Sequence, residues 1–172
     1  MSNRPFSAAA STACILCAMA GLAQPAYAAL GGSPMPTPSD ATTTTLAPTA
    51  HAAATLKNAP GAASSAAASI TVRSTAYSSG TQVREYVGAD GKVFGIAWNG
   101  PRMPDLQNLL GAYFPQYASG VQAQHAARHV RGPVAVEQSD LVVHSGGHMG
   151  SFFGQAWLPS ALPAGLTGAD IK

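Results

Sequence analysis

The sequence predicts a small single domain of the α+β class, an antiparallel sheet with one or two helices packed on it. Short segments rich in β-branched and aromatic residues recur between turn formers from residue 70 onward. A segment between them carries leucines at helical spacing. After residue 28, every tyrosine, tryptophan and phenylalanine lies in this part of the chain. We therefore expect the folded domain to cover residues 70–172, which is enough chain for one compact core.

The first three strands should form an antiparallel meander. They are predicted at residues 70–77, 81–87 and 93–98. The last two are separated by Asp90 and Gly91, which can both take the positive φ that a tight hairpin turn requires. In the third strand, strict alternation would place Phe94, Ile96 and Trp98 on one face, towards the core.

Two helices are expected after the meander. The first covers residues 104–113, begins with Pro104 and Asp105, and ends before Pro115. Its apolar residues fall at i, i+3, i+4 and i+7. They are Leu106, Leu109, Leu110 and Tyr113. A second, weaker helix is expected at residues 120–131, and its inner stripe would consist of Ala123, Ala126, Ala127 and Val130.

The chain should return to strands at residues 134–136, 141–144 and 149–158. Gly146 and Gly147 are predicted to form a two-residue turn of a C-terminal hairpin. That turn would place Ser145 opposite His148, and it would send the rings of His144 and His148 to opposite faces. A straight strand would instead keep the two rings on one face, about 13 Å apart.

The N-terminal residues resemble a secretory signal peptide. Arg4 precedes an apolar run, and Ala26-Tyr27-Ala28 has the form of a cleavage site, so residues 1–28 should be removed after Ala28. Cleavage would remove Cys14 and Cys17, the two cysteines of the chain. We therefore expect a periplasmic or secreted protein with no disulfide and no membrane span.

Residues 29–69 are predicted to be a disordered tether. They consist mainly of alanine, threonine, serine, proline and glycine, with no aromatic residue and few large aliphatic ones. Such a segment buries too little apolar surface to offset the entropy of ordering its backbone.

The charge of the chain argues against several partners. The formal net charge is +2, and 9% of the residues are charged. No run of lysine and arginine is present. Nucleic acid and anionic lipid surfaces, which are bound through basic patches, are therefore not expected as partners.

Two histidine pairs are candidate metal ligands. His125 and His129 lie four residues apart on the second predicted helix, where two imidazoles can reach one ion. No glutamate follows His125, and Arg128 and Arg131 add positive charge nearby, so a solvated helix face is favoured. His144 and His148 are interpreted as residues flanking the predicted turn. No metal, cofactor or catalytic residue is therefore assigned.

Nucleophilic catalysis would have to use Ser145 with His148 or His144 and with Asp140. The Gly-x-Ser-x-Gly motif of a nucleophile elbow is absent, and a serine beside two glycines is typical of a turn. Glu85, which lies between Arg84 and Tyr86 in a strand, is expected to form a cross-strand pair.

Six short motifs resemble a family of exported proteobacterial proteins that is frequent in Burkholderia-like bacteria and is described only as a domain of unknown function. They are Ala29-Leu-Gly-Gly32 with Pro34, Val83-Arg-Glu-Tyr-Val87, Asp90-Gly-Lys-Val-Phe94, Trp98-Asn-Gly-Pro101, Pro104-Asp-Leu106 and Ser145-Gly-Gly-His-Met-Gly150. The resemblance covers nearly all of the chain after residue 28. It implies export from a Gram-negative cell and assigns no chemistry.

The sequence thus favours a non-catalytic binding module with an unknown envelope or extracellular partner. The partner would bind at a sheet edge or at the aromatic hairpin around Phe152, Phe153 and Trp157. The same aromatic residues could equally belong to the core. The alternatives are a periplasmic metal-binding protein that uses His125 and His129, and a small hydrolase centred on Ser145 and His148.

Overall fold

A computed structural model describes residues 29–50, 69–128 and 132–172. These residues form a small, mainly β domain with one seven-stranded antiparallel sheet. The strands are β1 (Ala41–Ala50), β2 (Ser69–Tyr77), β3 (Gln82–Val87), β4 (Val93–Gly100), β5 (Val134–Glu137), β6 (Val142–His148) and β7 (Ser151–Trp157). The helices are α1 (Leu106–Leu110) and α2 (Phe114–Arg128).

The sheet consists of two meanders that meet in its centre. Its strand order is β1-β2-β3-β4-β7-β6-β5. After β4 the chain passes through α1 and α2 to the far edge, and it then returns through β5 and β6 to pair β7 with β4. The predicted three-strand meander is confirmed as β2-β3-β4, and the predicted C-terminal hairpin is confirmed as β6-β7.

The two faces of the sheet are covered by different parts of the chain. On the first, the helix face, buried strand residues such as Val83, Ile96 and Val143 share a core with Leu109 and Leu110 of α1. On the second, the groove face, a smaller core forms between the sheet and the C-terminal residues. There Ile171 packs over Gly95, where an added Cβ would lie 2.5 Å from its Cδ1. The C-terminal residues cover only one end of the groove face.

The first helix has its predicted apolar pattern, but the α-helix ends at Leu110, before the predicted limit at residue 113. Leu109 and Leu110 are buried, and Leu106 and Tyr113 pack against the same core. The carboxylate of Asp105 accepts hydrogen bonds from the backbone N–H groups of Gln107 and Asn108, which makes Asp105 the N-cap of α1 rather than a residue inside it.

The second helix begins earlier than predicted. Pro115 does not end a helix but lies in the first turn of α2, where its missing N–H costs no intrahelical hydrogen bond. The predicted inner stripe is also wrong, because Ala123, Ala126 and Ala127 are exposed. The helix instead approaches β5 at Gly120, where an added Cβ would lie 2.7 Å from a methyl group of Val136.

The predicted tether is wrong for residues 29–50. Ala29, Leu30 and Met35 are buried in the core of the helix face, and residues 41–50 form β1, which pairs with β2. The backbone N–H of Leu30 also donates to the carbonyl of Leu109. Threonine favours strands, and pairing with β2 satisfies the backbone of a segment that lacks large side chains. Residues 51–68 of the predicted tether and the predicted leader 1–28 lie outside the described residues.

The predicted alternation of β4 fails at Phe94. The register between β3 and β4 shifts between Tyr86 and Val87, which leaves Phe94 as an extra residue of β4. Ile96 and Trp98 face the helix core as predicted, whereas Phe94 packs in the smaller core of the groove face with Ile171.

The position of the C-terminal turn is also corrected. His148 pairs with Ser151, so Met149 and Gly150 form the turn, and Gly146 and Gly147 lie within β6. Gly150 has a φ of 86°, which suits a glycine in a tight turn. Among the described residues, no helix is both long and apolar enough to span a membrane.

Candidate functional site

Strand register aligns five residues, three of them polar, across the middle of the groove face. Arg84 of β3 pairs with Ala97 of β4, Ala97 pairs with Gln155 of β7, Gln155 with His144 of β6, and His144 with Ala135 of β5. Directly paired residues point to the same face of a sheet. These five residues, the central row, therefore cross the sheet in one line. With about 4.8 Å between strands, Arg84 and His144 lie about 14 Å apart.

The central row forms the floor of an open groove of about 660 Å³, the sheet groove. At one end of the groove is the C-terminal residue Lys172, whose carbonyl accepts hydrogen bonds from Arg84 Nη1 at 2.6 Å and from Tyr86 Oη at 2.7 Å. The neighbouring cross-strand row contributes Asn99 and its partner Phe153 to the lining.

Phe153 is held on the rim of the sheet groove by a glycine. Its ring lies over Gly146, where an added Cβ would be 3.0 Å from the ring carbon Cζ. The side of the ring away from this contact is open enough that 56% of the residue is exposed. An exposed aromatic ring fixed against backbone is a suitable platform for a ligand.

His144 is oriented by two neighbours. Its Nε2 lies 3.0 Å from Oε1 of Glu137, and its ring meets the ring of Trp157 edge to face at a centroid distance of 5.3 Å. Both the His144 and Glu137 side chains remain substantially exposed. Charged groups thus lie at the two ends of the sheet groove, and the uncharged amides of Asn99 and Gln155 lie between them.

The hydrolase residues suggested by the sequence do not converge. Ser145 points to the helix face, where its Oγ lies 3.3 Å from Oη of Tyr117, whereas His144 points to the groove face. Asp140 accepts a hydrogen bond from Gln116. The exposed His148 has its Nδ1 3.0 Å from the carbonyl oxygen of its neighbour Met149. The predicted hairpin geometry, with His144 and His148 on opposite faces, is wrong. Both histidines lie in β6, four residues apart, and residues separated by an even number of positions in a strand point to the same face.

His125 is exposed on α2, and its proposed partner His129 lies outside the described residues. His125 lines a smaller cavity of about 320 Å³ together with Tyr117 and Ser145. Within the described ranges, no group of three or more histidine, cysteine, aspartate or glutamate side chains is placed to hold a metal ion.

Glu85 forms the cross-strand pair expected of it. It is fully buried, its Oε1 accepts a hydrogen bond from the backbone N–H of Met35 at 2.8 Å, and its Oε2 lies 3.6 Å from Nη1 of its strand partner Arg73. Burial raises the pKa of Glu85, against the opposing effects of Met35 and Arg73. Because Glu85 ties the segment before β1 to the sheet, its role is structural.

Sequence reasoning did not single out the groove residues Arg84, Asn99, Gln155 and Glu137. A local signal existed, since Arg84 alternates with the buried Val83 and Glu85 in a strand. Their convergence, however, depends on pairing between strands that are far apart in the sequence, such as that of Ala97 in β4 with Gln155 in β7, 58 residues later. No spacing in the sequence encodes that pairing.

The fold and the sheet groove define a small antiparallel-sheet domain with one open, partly polar face. Residues 26–171 match the model of a family described as "Protein of unknown function (DUF2844)", and the chain belongs to this family. No curated protein matches the chain. No solved structure matches it either.

Proposed function

We propose that the protein is an exported, non-catalytic binding module that holds a ligand in the sheet groove. The observation that carries the proposal is the uneven covering of the groove face. The C-terminal residues cover one end of the face by packing on Gly95 and against Trp157, and Ala97 is buried in the same core. Beside them, Gln155, His144 and Ala135 of the central row remain at least partly exposed. An open groove with a few polar groups over a rigid floor is the usual form of a binding site.

Rigidity of the floor supports this proposal. Most of the floor is formed by β3, β4, β7 and β6, each of which has a paired strand on both sides, and the edge strand β5 contributes Ala135. The ladder fixes the backbone of the inner strands and the face to which each side chain points, so a ligand would meet a largely preorganised surface and lose less free energy to ordering.

A binding role agrees with the side chains better than catalysis does. The hydroxyl of Ser145 is directed away from the sheet groove, and His144 is paired with Glu137 rather than with a nucleophile. Export, to the periplasm or beyond, is part of the proposal and rests on the leader-like residues 1–28.

A thermal-shift screen tests the binding role without assuming a ligand class. The full chain is heated with a library of sugars, amino acids, short peptides, nucleotides and aromatic acids. We expect some compounds to raise the melting temperature of the natural chain but not that of Gln155→Trp, whose indole would fill the groove. Gln122→Trp on the exposed surface of α2 is the matched control and should behave like the natural chain.

Compounds that stabilise the natural chain and Gln155→Trp equally would place binding outside the sheet groove. That result, or a library without any stabilising compound, would contradict the proposed function.

A further inference from the structure

We infer that the ligand of the sheet groove is an uncharged saccharide, a short glycan chain that lies across the strands along the central row. The inference rests on the proposed binding function and adds the chemical class of the ligand.

The hydrogen-bonding groups in the middle of the sheet groove suit hydroxyl groups. Asn99 and Gln155 each carry an amide that both donates and accepts, as a sugar hydroxyl does. In the described structure neither side chain takes part in a hydrogen bond to another protein group, in contrast to Gln116 and Gln124 on α2. Planar amides can therefore engage neighbouring hydroxyls of one sugar ring without first breaking a protein contact.

The charge distribution favours an uncharged ligand. Arg84 and Lys172 line one end of the sheet groove, and Glu137 with His144 lines the other. A charged ligand that spans the central row would be repelled at one end, because an anionic group would meet Glu137 and a cationic group would meet Arg84. Only a ligand whose charges match both ends would avoid this repulsion. A neutral polar chain meets no such repulsion and can use both ends as hydrogen-bonding groups.

Phe153 supplies the apolar contact that a sugar ring needs. One face of a pyranose ring presents C–H groups, and these pack well against an aromatic ring. Phe153 is the cross-strand partner of Asn99, so both side chains lie on the same face, and the ring of Phe153 leans towards Gly146 on the other side of β7. The pair offers a stacking surface and a hydrogen-bonding group within about two strand spacings, roughly 10 Å.

The same floor disfavours an extended peptide. Peptides commonly bind sheets by adding a strand at an edge, where unpaired backbone groups are available. Four of the five strands that line the sheet groove, β3, β4, β7 and β6, are inner strands whose backbone groups are used in the ladder, and only β5 is an edge strand. A peptide that crosses the inner strands along the central row would leave most of its own backbone donors without backbone partners, whereas a saccharide needs only side chains.

Binding of the full chain to a glycan array, followed by titration with the best neutral oligosaccharide in solution, tests the inference. We expect at least one neutral glycan to bind, and we expect Phe153→Ala and Gln155→Glu each to weaken its affinity at least tenfold. Phe152→Ala is the matched control, because Phe152 precedes Phe153 in β7 and points to the opposite face. It should keep the affinity within about twofold.

Several outcomes would overturn the saccharide assignment. These are an array without any bound glycan, binding that Phe153→Ala and Gln155→Glu leave unchanged, and a thermal-shift screen in which only peptides or charged compounds act through the groove. The last outcome would retain the proposed binding function, whereas a groove that binds nothing would remove both. Equal melting temperatures of the variants and the natural chain show that lost affinity does not reflect unfolding.

Discussion

At the scale of single residues, the glycine pair of β6 is required for close approach rather than for a turn. Gly147 has a φ of 131°, and an added Cβ would lie 2.3 Å from the carbonyl oxygen of Ser151. Gly146 leaves space for the ring of Phe153. Both glycines therefore allow β7 and its aromatic side chain to lie close to β6. Gly150, in the turn itself, has nothing within 4 Å of an added Cβ.

We expect Gly147→Ala to destabilise the fold far more than Gly150→Ala does. Both positions have positive φ, which costs an alanine about 1 kcal/mol, but only at residue 147 does the new methyl group also overlap backbone. The free energy of unfolding should fall by about 3 kcal/mol or more for Gly147→Ala and by about 1 kcal/mol for Gly150→Ala. Urea denaturation measures the free energy of unfolding of both variants. Equal losses would contradict the close approach of β7 to Gly147.

The protonation of Glu85 is linked to folding. Burial raises its pKa above the ordinary value of 4.5, so the folded chain holds this proton more tightly than the unfolded chain does. The stability contributed by Glu85 is therefore complete below pH 4.5 and is lost as the pH rises through its folded pKa.

We accordingly expect the natural chain to lose stability relative to Glu85→Gln as the pH rises from about 4 to 8, because the glutamine variant cannot titrate at this position. Thermal unfolding of both proteins across this range measures the difference. Glu137→Gln, the same substitution at a side chain that is 68% exposed, is the matched control for the removal of a carboxylate that is not desolvated. A difference that stays constant or changes in the opposite direction would contradict the desolvation of Glu85.

At the scale of elements, the segment before β2 belongs to the folded domain. Leu30 forms an isolated bridge with Val93, and the carbonyl of Met35 accepts a hydrogen bond from Arg73 at 2.8 Å. This segment covers buried residues of the helix face that would otherwise meet water. Its low content of large apolar residues predicted a tether, but the buried side chains of Leu30 and Met35, together with the pairing of β1 with β2, hold it on the domain.

We expect Leu30→Ala to lower the free energy of unfolding by about 2 to 5 kcal/mol, because it leaves a cavity in the core. Leu46→Ala, the same change at a residue of β1 that is 55% exposed, should cost less than about 1 kcal/mol. Chemical denaturation measures both variants. Indistinguishable stabilities would support the disordered tether instead.

Local sequence patterns predicted most of the strands and helices, but they did not predict the start of α2 or the strand β1. Six of the seven strands and α1 follow from β-branched runs and from the leucine spacing of Leu106 to Leu110. The start of α2 was missed because Pro115 was interpreted as a stop, although proline is equally suited to a first turn. The strand β1 was missed because its threonines lack the alternation of apolar and polar residues that marks a half-buried strand.

At the scale of the whole molecule, the candidate site is a product of sheet order. The insertion of β7 between β4 and β6 brings Gln155 next to both Ala97 and His144. A one-residue slip in either pairing would turn these side chains to the helix face. The histidines drew attention in the sequence because of their spacing, yet the residues that form the sheet groove share no spacing along the chain and depend on long-range pairing.

The most direct test of the central claim is to map backbone-amide chemical shifts in the full chain while the best stabilising compound from the thermal-shift screen is added. We expect the largest, saturable changes to fall on the central row and its neighbours, at Arg84, Ala97, Asn99, His144 and Gln155. Changes centred instead on the cavity around Tyr117 and His125, or on the edge strand β1, would contradict the assignment of the sheet groove as the functional site.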